Sequence, residues 1–217
     1  MCRLIAAVIY YEEAWTLERC LSSIRRAAPH AGIVTLDGAY AQFPHPTGRP
    51  ESEDGSNVIA DRLADTVVRC PKDADGRPRP WASEIEKRSE YLKHAQTGDL
   101  ILVVDADEEV RGLVPQQIEG NVFDVRHERD DGIPPGAYLR FFRKQDGMLY
   151  RGTHNAVTLS DGTILNANKR PTVPGFYLYH HYLDRGMRDV ARNLRKARYY
   201  DFLCRDEAEF RKTHVLL

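Results

Sequence analysis

Aliphatic runs and polar breaks divide the first half of the chain into alternating strands and helices. Leu100-Ile101-Leu102-Val103-Val104 opens shortly after Gly98 and runs into acids at Asp105, Asp107, Glu108 and Glu109. An apolar run without alternation predicts a strand buried on both faces, as in parallel sheets. Arg3 to Tyr11 predicts a second such strand, again ending on acids, Glu12 and Glu13. Leu17, Cys20, Leu21 and Ile24 then recur with the spacing of a helix face, and Pro29 closes that helix. Ile33 to Leu36 predicts a short strand ending at Asp37-Gly38-Ala39-Tyr40. This β-α-β opening favours a right-handed crossover and a parallel sheet.

Residues 41–57 hold three prolines and two glycines without periodicity, the composition of a functional loop; we expect a lid here. A short helix over Val58 to Leu63 and a strand over Thr66 to Cys70 follow. Ser83 and Glu86 form an S-x-x-E capping box for a helix whose buried side is marked by Ile85, Leu92 and Ala95 and whose stop is Gly98. On that reading Lys87, Arg88 and Lys93 lie away from the core. Beyond Glu109 the segments Val122 to His127, Tyr138 to Arg143, Leu149 to Leu159, Thr163 to Asn166 and Phe176 to Tyr182 predict strands with no helix among them, an antiparallel annex. Met187, Val190, Ala191, Leu194 and Ala197 mark a last amphipathic helix, with Arg185, Arg188, Arg192 and Arg195 as a basic stripe opposite. The expected organisation is one domain over residues 1–184, with a ligand-binding half at 1–110 and an annex at 111–184, followed by a helical extension at 185–217.

Composition narrows the partners. The 217 residues suffice for one sizeable core, and a net charge of −1 gives no global field for nucleic acid or membrane. The N-terminal apolar run is too short to span a bilayer and lacks a signal-peptide cleavage pattern. The four cysteines, Cys2, Cys20, Cys70 and Cys204, show no metal-binding pair or disulfide framework, which fits a reducing cytoplasmic compartment.

The candidate chemistry sits at Asp105-Ala106-Asp107. A buried parallel strand delivers both carboxylates to the sheet's carboxyl edge, where ligands of α/β folds bind. Two acids that close repel one another unless a cation lies between them. Oxygen ligands suit Mg²⁺ or Mn²⁺, which commonly bind through one or two carboxylates and substrate phosphates.

With Tyr11-Glu12-Glu13, the Asp37-Gly38-Ala39-Tyr40 turn and the Asp99-to-Glu108 segment in this order, the chain resembles GT-A glycosyltransferases, closest to the inverting family-2 type. Phe141-Phe142-Arg143, Tyr150-Arg151-Gly152-Thr153-His154 and the later His180-His181 resemble the second half of small bacterial and phage members. The likeness covers roughly residues 3 to 182. It implies an α/β fold of GT-A (Rossmann-like) type, with a mainly parallel sheet flanked by helices, the smaller antiparallel annex and the C-terminal helix. It also implies transfer of a sugar from a nucleotide-sugar donor, UDP-linked in the first instance, with Mn²⁺ or Mg²⁺. By the resemblance, Tyr10 and Glu12 line the base and ribose, and Asp37 accepts a hydrogen bond from the base. Asp105 contacts the ribose or the metal's hydration shell, and Asp107 ligates the metal. Lys87 or Arg88 adds charge near the phosphates, and His180 or His181 completes the metal shell. Separately from the resemblance, the arginine helix begins just after His180-His181, which would let Arg185 or Arg188 reach the diphosphate. The base that deprotonates the acceptor is one of Glu128, Asp130 and Asp131. Where many relatives carry His-Glu, this chain has His154-Asn155, so the acceptor stays open: a protein, a lipid, a glycan or a modified nucleobase.

Two other classes compete. A nucleotidyltransferase needs a glycine-rich, basic loop after the first strand, whereas Tyr10-Tyr11-Glu12-Glu13-Ala14 has no glycine and two acids. A non-catalytic module binding sugar or nucleic acid through the arginine stripe has no need for both Asp105 and Asp107.

Overall fold

The structure, a computed structural model, describes residues 2–41, 48–151, 157–161, 163, 165 and 170–183. The strands are β1 (Leu4–Ile9), β2 (Gly32–Leu36), β3 (Thr66–Val68), β4 (Leu100–Asp105), β5 (Glu108–Gly112), β6 (Val122–Arg129), β7 (Gly136–Arg143), β8 (Leu149–Tyr150), β9 (Val157–Thr158) and β10 (Thr172–His180). The helices are α1 (Ala14–Ala27), α2 (Ser56–Leu63) and α3 (Glu84–Leu92). Eight strands form one sheet in the order β3-β2-β1-β4-β7-β6-β10-β5, and β8 pairs with β9 in a small antiparallel sheet. The fold is therefore α/β, with a mostly parallel sheet flanked by helices.

The parallel half, β3-β2-β1-β4, is the predicted one, and its residues alternate between two buried faces. Leu4, Ala6, Val8, Leu100, Leu102 and Val104 pack toward α1, with Leu17, Leu21 and Ile24. Ile5, Ala7, Ile101 and Val103 pack on the other face with Trp81, Tyr91 and Leu92. Both faces being covered is why these strands read as unbroken apolar runs.

The second half departs from the expected annex. β7, β6 and β10 continue the main sheet from the edge of β4, with β4–β7 and β7–β6 antiparallel and β6–β10 parallel. The predicted strand over Leu149 to Leu159 contains β8 and β9, which pair with each other. β5, not predicted at all, is the far edge strand and runs antiparallel to β10. Only Ala106 and Asp107 separate β4 from β5. Four strand spacings of about 4.8 Å place those strands roughly 19 Å apart in a flat sheet. Three Cα–Cα steps of about 3.8 Å reach only ~11 Å. The sheet must curl until its last strand returns to β4, and the acidic turn closes that curl.

Half of the capping box forms, with Ser83 Oγ accepting from Glu86 N at 3.1 Å, while the Glu86 carboxylate accepts from Ala82 N, one residue before the cap. α3 ends at Leu92, before Gly98, which turns the chain into β4 with φ 94°. Its orientation corrects the sequence reading: Glu84, Lys87 and Arg88 are buried together with Tyr91 and Leu92. The helix crosses the carboxyl ends of β1, β2 and β4, where carbonyls and Asp105 require donors. Among the described residues no helix is long and apolar enough to cross a membrane.

Candidate functional site

β4, β5 and β10 bring the acids and histidines together. His180 ends β10 opposite Glu108, the first residue of β5. Its Nε2 lies 2.9 Å from Asp107 Oδ2, and Asp107 is buried. Beside this pair His181 Nε2 lies 3.2 Å from Glu109 Oε2. Burial and the nearby Arg19 charge hold the His181 imidazole below its ordinary value, against the pull of Glu109. The two histidines thus take different acids, His180 with Asp107 and His181 with Glu109.

Asp105 has a different environment from Asp107. Arg140 Nη2 donates to its Oδ2 at 2.7 Å, and Arg88 Nη2 donates to its Oδ1 at 3.1 Å. Burial pushes its pKa up, but the two guanidiniums outweigh that and hold it well below the carboxylate range. Arg88 is also tied to Glu84 by a 2.7 Å bond from Nε. Glu108 folds back under the turn: its Oε2 accepts from Asp105 N at 2.8 Å, and its Oε1 faces His127 Nε2 at 3.0 Å and Arg140 Nη2 at 3.1 Å. Arg140, His127 and Glu108 are site residues that sequence reasoning did not assign. An arginine set between Leu139 and Phe141 inside the strand Tyr138 to Arg143 was the available signal for the first.

The nucleotide-side candidates are enclosed. Lys87 Nζ donates to the Tyr10 and Gly38 carbonyls, each at 2.6 Å, so its charge is directed into the fold and not toward a phosphate. Asp37 is fully buried: Ser52 Oγ donates to it at 2.6 Å, and Ser52 N and Asn57 Nδ2 do so at 3.2 Å. Tyr10 is buried beneath the same segment, its hydroxyl donating to Asn57 Oδ1 at 2.7 Å. Glu12 stands at φ 53°, a left-handed conformation uncommon for a residue with a side chain. Ser52, Ser56 and Asp54 accept in turn from the backbone N–H groups of Glu12, Glu13 and Ala14, at 2.8–2.9 Å. Residues 48–57 therefore form a strap across the end of β1 and the start of α1; residues 42–47 of the expected lid lie outside the described residues.

The three candidate bases lie along the end of β6 and the turn after it. Glu128 pairs with Arg126 at 2.7 Å, and Asp131 is held by both forks of Arg129. Asp130 Oδ1 accepts from Leu183 N at 2.8 Å, tying this turn to the end of β10. Arg188, with Arg185, Arg192 and Arg195, lies outside the described residues, as do His154 and Asn155.

Among the described residues no three His, Cys, Asp or Glu side chains converge as a ready metal cage. Asp107 and His180 nevertheless fit an ion that keeps most of its shell for phosphate and solvent. Adjacent ligands of an octahedral ion with bonds of about 2.1 Å stand about 3 Å apart, the separation of this pair. The donor set, one carboxylate and one imidazole, suits Mn²⁺.

No known family description matches the chain, and no curated protein matches it. Solved structures similar to it include TarS from S. aureus. The 1–349 form has a TM-score of 0.42 and 11% identity, covering 61% of this chain and 37% of that one. A longer TarS structure gives 0.42 and 14%, covering 81% and 28%. The 1–349 form in complex with UDP gives 0.43 and 13%, covering 94% and 55%. The chain thus spans about half or less of each of these proteins.

Proposed function

We propose that this protein is a GT-A-type, family-2-like inverting glycosyltransferase. It moves a sugar from a nucleotide-sugar donor, UDP-linked in the first instance, to a hydroxyl acceptor. The observation that carries this reading is the Asp107–His180 pair at the carboxyl edge of the parallel strands, 2.9 Å between ligand atoms, beside an Asp105 fixed by two arginines. Asp107 and His180 would hold Mn²⁺ or Mg²⁺, and such an ion supplies Lewis-acid stabilisation of the departing diphosphate. Asp105, held by the Arg88 and Arg140 guanidiniums, accepts from donor hydroxyls, while Glu108 fixes the turn through Asp105 N. Glu128, Asp130 or Asp131 takes the acceptor proton from the opposite side. Asp37, Tyr10 and Glu12 receive the nucleotide once the 48–57 strap releases them, a movement that would also exclude water on re-closing. Residues 1–184 form the catalytic unit and 185–217 an extension. Free Cys2, Cys20 and Cys70 support a cytoplasmic setting.

The nucleotidyltransferase alternative is disfavoured by the segment after β1, Tyr10-Tyr11-Glu12-Glu13-Ala14, which has no glycine and two acids where a triphosphate needs a basic, glycine-rich cradle.

The test is a thermal-shift screen of UDP-, GDP- and CDP-sugars with and without Mn²⁺, paired with donor hydrolysis. A donor that binds only the folded state raises the melting temperature. Asp107→Asn should abolish the Mn²⁺-dependent shift and lower turnover at least ~100-fold, several kcal/mol of transition-state stabilisation. Full activity in that variant, or indifference to EDTA, would remove the metal-dependent mechanism.

A further inference from the structure

Arg140 stands on β7 with its side chain 12% exposed, and one of its terminal nitrogens already serves two acids. The other, Nη1, is buried and has no hydrogen-bond partner among the described residues. A buried donor without an acceptor is costly, and native proteins rarely retain one unless something else completes it. Being part of the same planar fork, Nη1 lies within one guanidinium width of the nitrogen that touches Asp105 and Glu108.

Charge decides what kind of acceptor fits. Glu84, Asp105 and Glu108 set three carboxylates against the two guanidiniums of Arg88 and Arg140. A phosphate oxygen approaching Nη1 would meet surplus negative charge. A hydroxyl oxygen would not, and it could donate its own proton in return to Asp105, whose side chain is 30% exposed. A donor and an acceptor side by side on one rigid pair is how proteins read a single hydroxyl group.

We propose that Arg140 is a binding residue for the transferred sugar: Nη1 donates to one of its hydroxyl oxygens beside Asp105, and thereby discriminates among donor sugars. The proposal rests on the glycosyltransferase reading above. Arg140→Gln removes the fork, and Arg140→Lys keeps the charge without it. Binding of UDP, UDP-glucose, UDP-galactose and UDP-N-acetylglucosamine, each with Mn²⁺, is measured calorimetrically for wild type and both variants. The wild type should bind at least one sugar form more tightly than UDP. Both variants should lose about 10- to 100-fold for that form, the worth of a charged hydrogen bond, while UDP affinity moves less than about threefold. If Arg140→Gln melts too low to assay, Arg140→Lys alone carries the comparison. Equal losses for UDP and the sugar form would make Arg140 only a strut for Asp105 and Glu108. Unchanged affinities, or a wild type that binds no sugar form better than UDP, would overturn the proposal equally. A wild type that binds none of the four ligands defeats the UDP-linked form of the glycosyltransferase reading on which the proposal rests, and that outcome is recognisable before any variant is made.

Discussion

Stability should rise as the solution is made alkaline, and Lys87→Met should remove much of that rise. Lys87 is 1% exposed, with Nζ bound to two carbonyls at 2.6 Å and 5.3 Å from the centre of the Tyr40 ring. Burial drives its pKa down from 10.5 to about 7, with Arg88 adding to the fall while Asp37 and Glu84 oppose it. Above about pH 7 the folded lysine is neutral, whereas the unfolded chain still binds the proton up to about 10.5. The unfolded state then holds more protons, so stability climbs with pH across that window and is lost again as pH falls through the folded value. Below it both states are charged and the slope vanishes. A neutral amine still has two N–H groups, enough for both carbonyls, so deprotonation keeps the bonds.

Each pH unit in the window is worth at most about 1.4 kcal/mol, which integrates to roughly 2 kcal/mol between pH 7 and 9. Methionine matches the volume but leaves two carbonyls unpaired, a cost of about 1–3 kcal/mol apiece that does not vary with pH. The assay is urea unfolding of wild type and Lys87→Met at pH 7, 8 and 9, read as the difference between them. Titrations common to both, such as those of Cys20 and Tyr10, cancel in that difference. The wild-type advantage should widen by about 2 kcal/mol over the range. Two parallel curves would refute the reasoning and return Lys87 to an ordinary, charged lysine.

Three further substitutions test the frame that carries the site. Gly112→Ala puts a Cβ 2.2 Å from the Gly175 carbonyl oxygen at a φ of 93°, so a fall of about 2–4 kcal/mol in unfolding free energy is expected. Gly132→Ala, at φ 77° with open space around it, is the control and should cost only about 1–2 kcal/mol. Asp54→Ala removes the acceptor for Ala14 N and for Ser56, and should cost about 1 kcal/mol by denaturant titration and loosen the strap to limited proteolysis. No increase in cleavage within 48–57 would show that the strap does not depend on this acceptor.

What the sequence revealed follows from where the chain is simple. β1 and β4 are covered on both faces and hold little but apolar side chains, so their runs are unambiguous. α1 packs one clean stripe against them. β5 was hidden because its inward positions are Glu108 and Val110: the acid that supports the site breaks the alternation that would have announced a strand. α3 misled for the same reason, since its inward face carries Glu84, Lys87 and Arg88 to meet carbonyl ends and Asp105. The late strands were legible as strands but not as neighbours of β4, because pairing is set by the curl of the sheet and not by any one segment.

The same contrast explains how adjacent acids at one turn come to differ in character. Asp105 ends β4 in register with Ile9 of β1, and the two guanidiniums that reach it come from α3 and β7 on separate segments of the chain. It is over-determined, and an acid held that firmly is suited to orienting a ligand. Asp107 lies two residues later in the turn that closes the sheet, with a histidine from β10 as its partner. Imidazole can exchange a proton for a metal ion at little cost, whereas a guanidinium cannot. Exchanging the partners should therefore exchange the roles. With His180→Arg, Asp107 would gain a fixed cation, and Mn²⁺-dependent thermal stabilisation in the presence of a nucleotide sugar should disappear even though both acids remain. Retention of that stabilisation would mean that the ion, if one binds, does not use this pair.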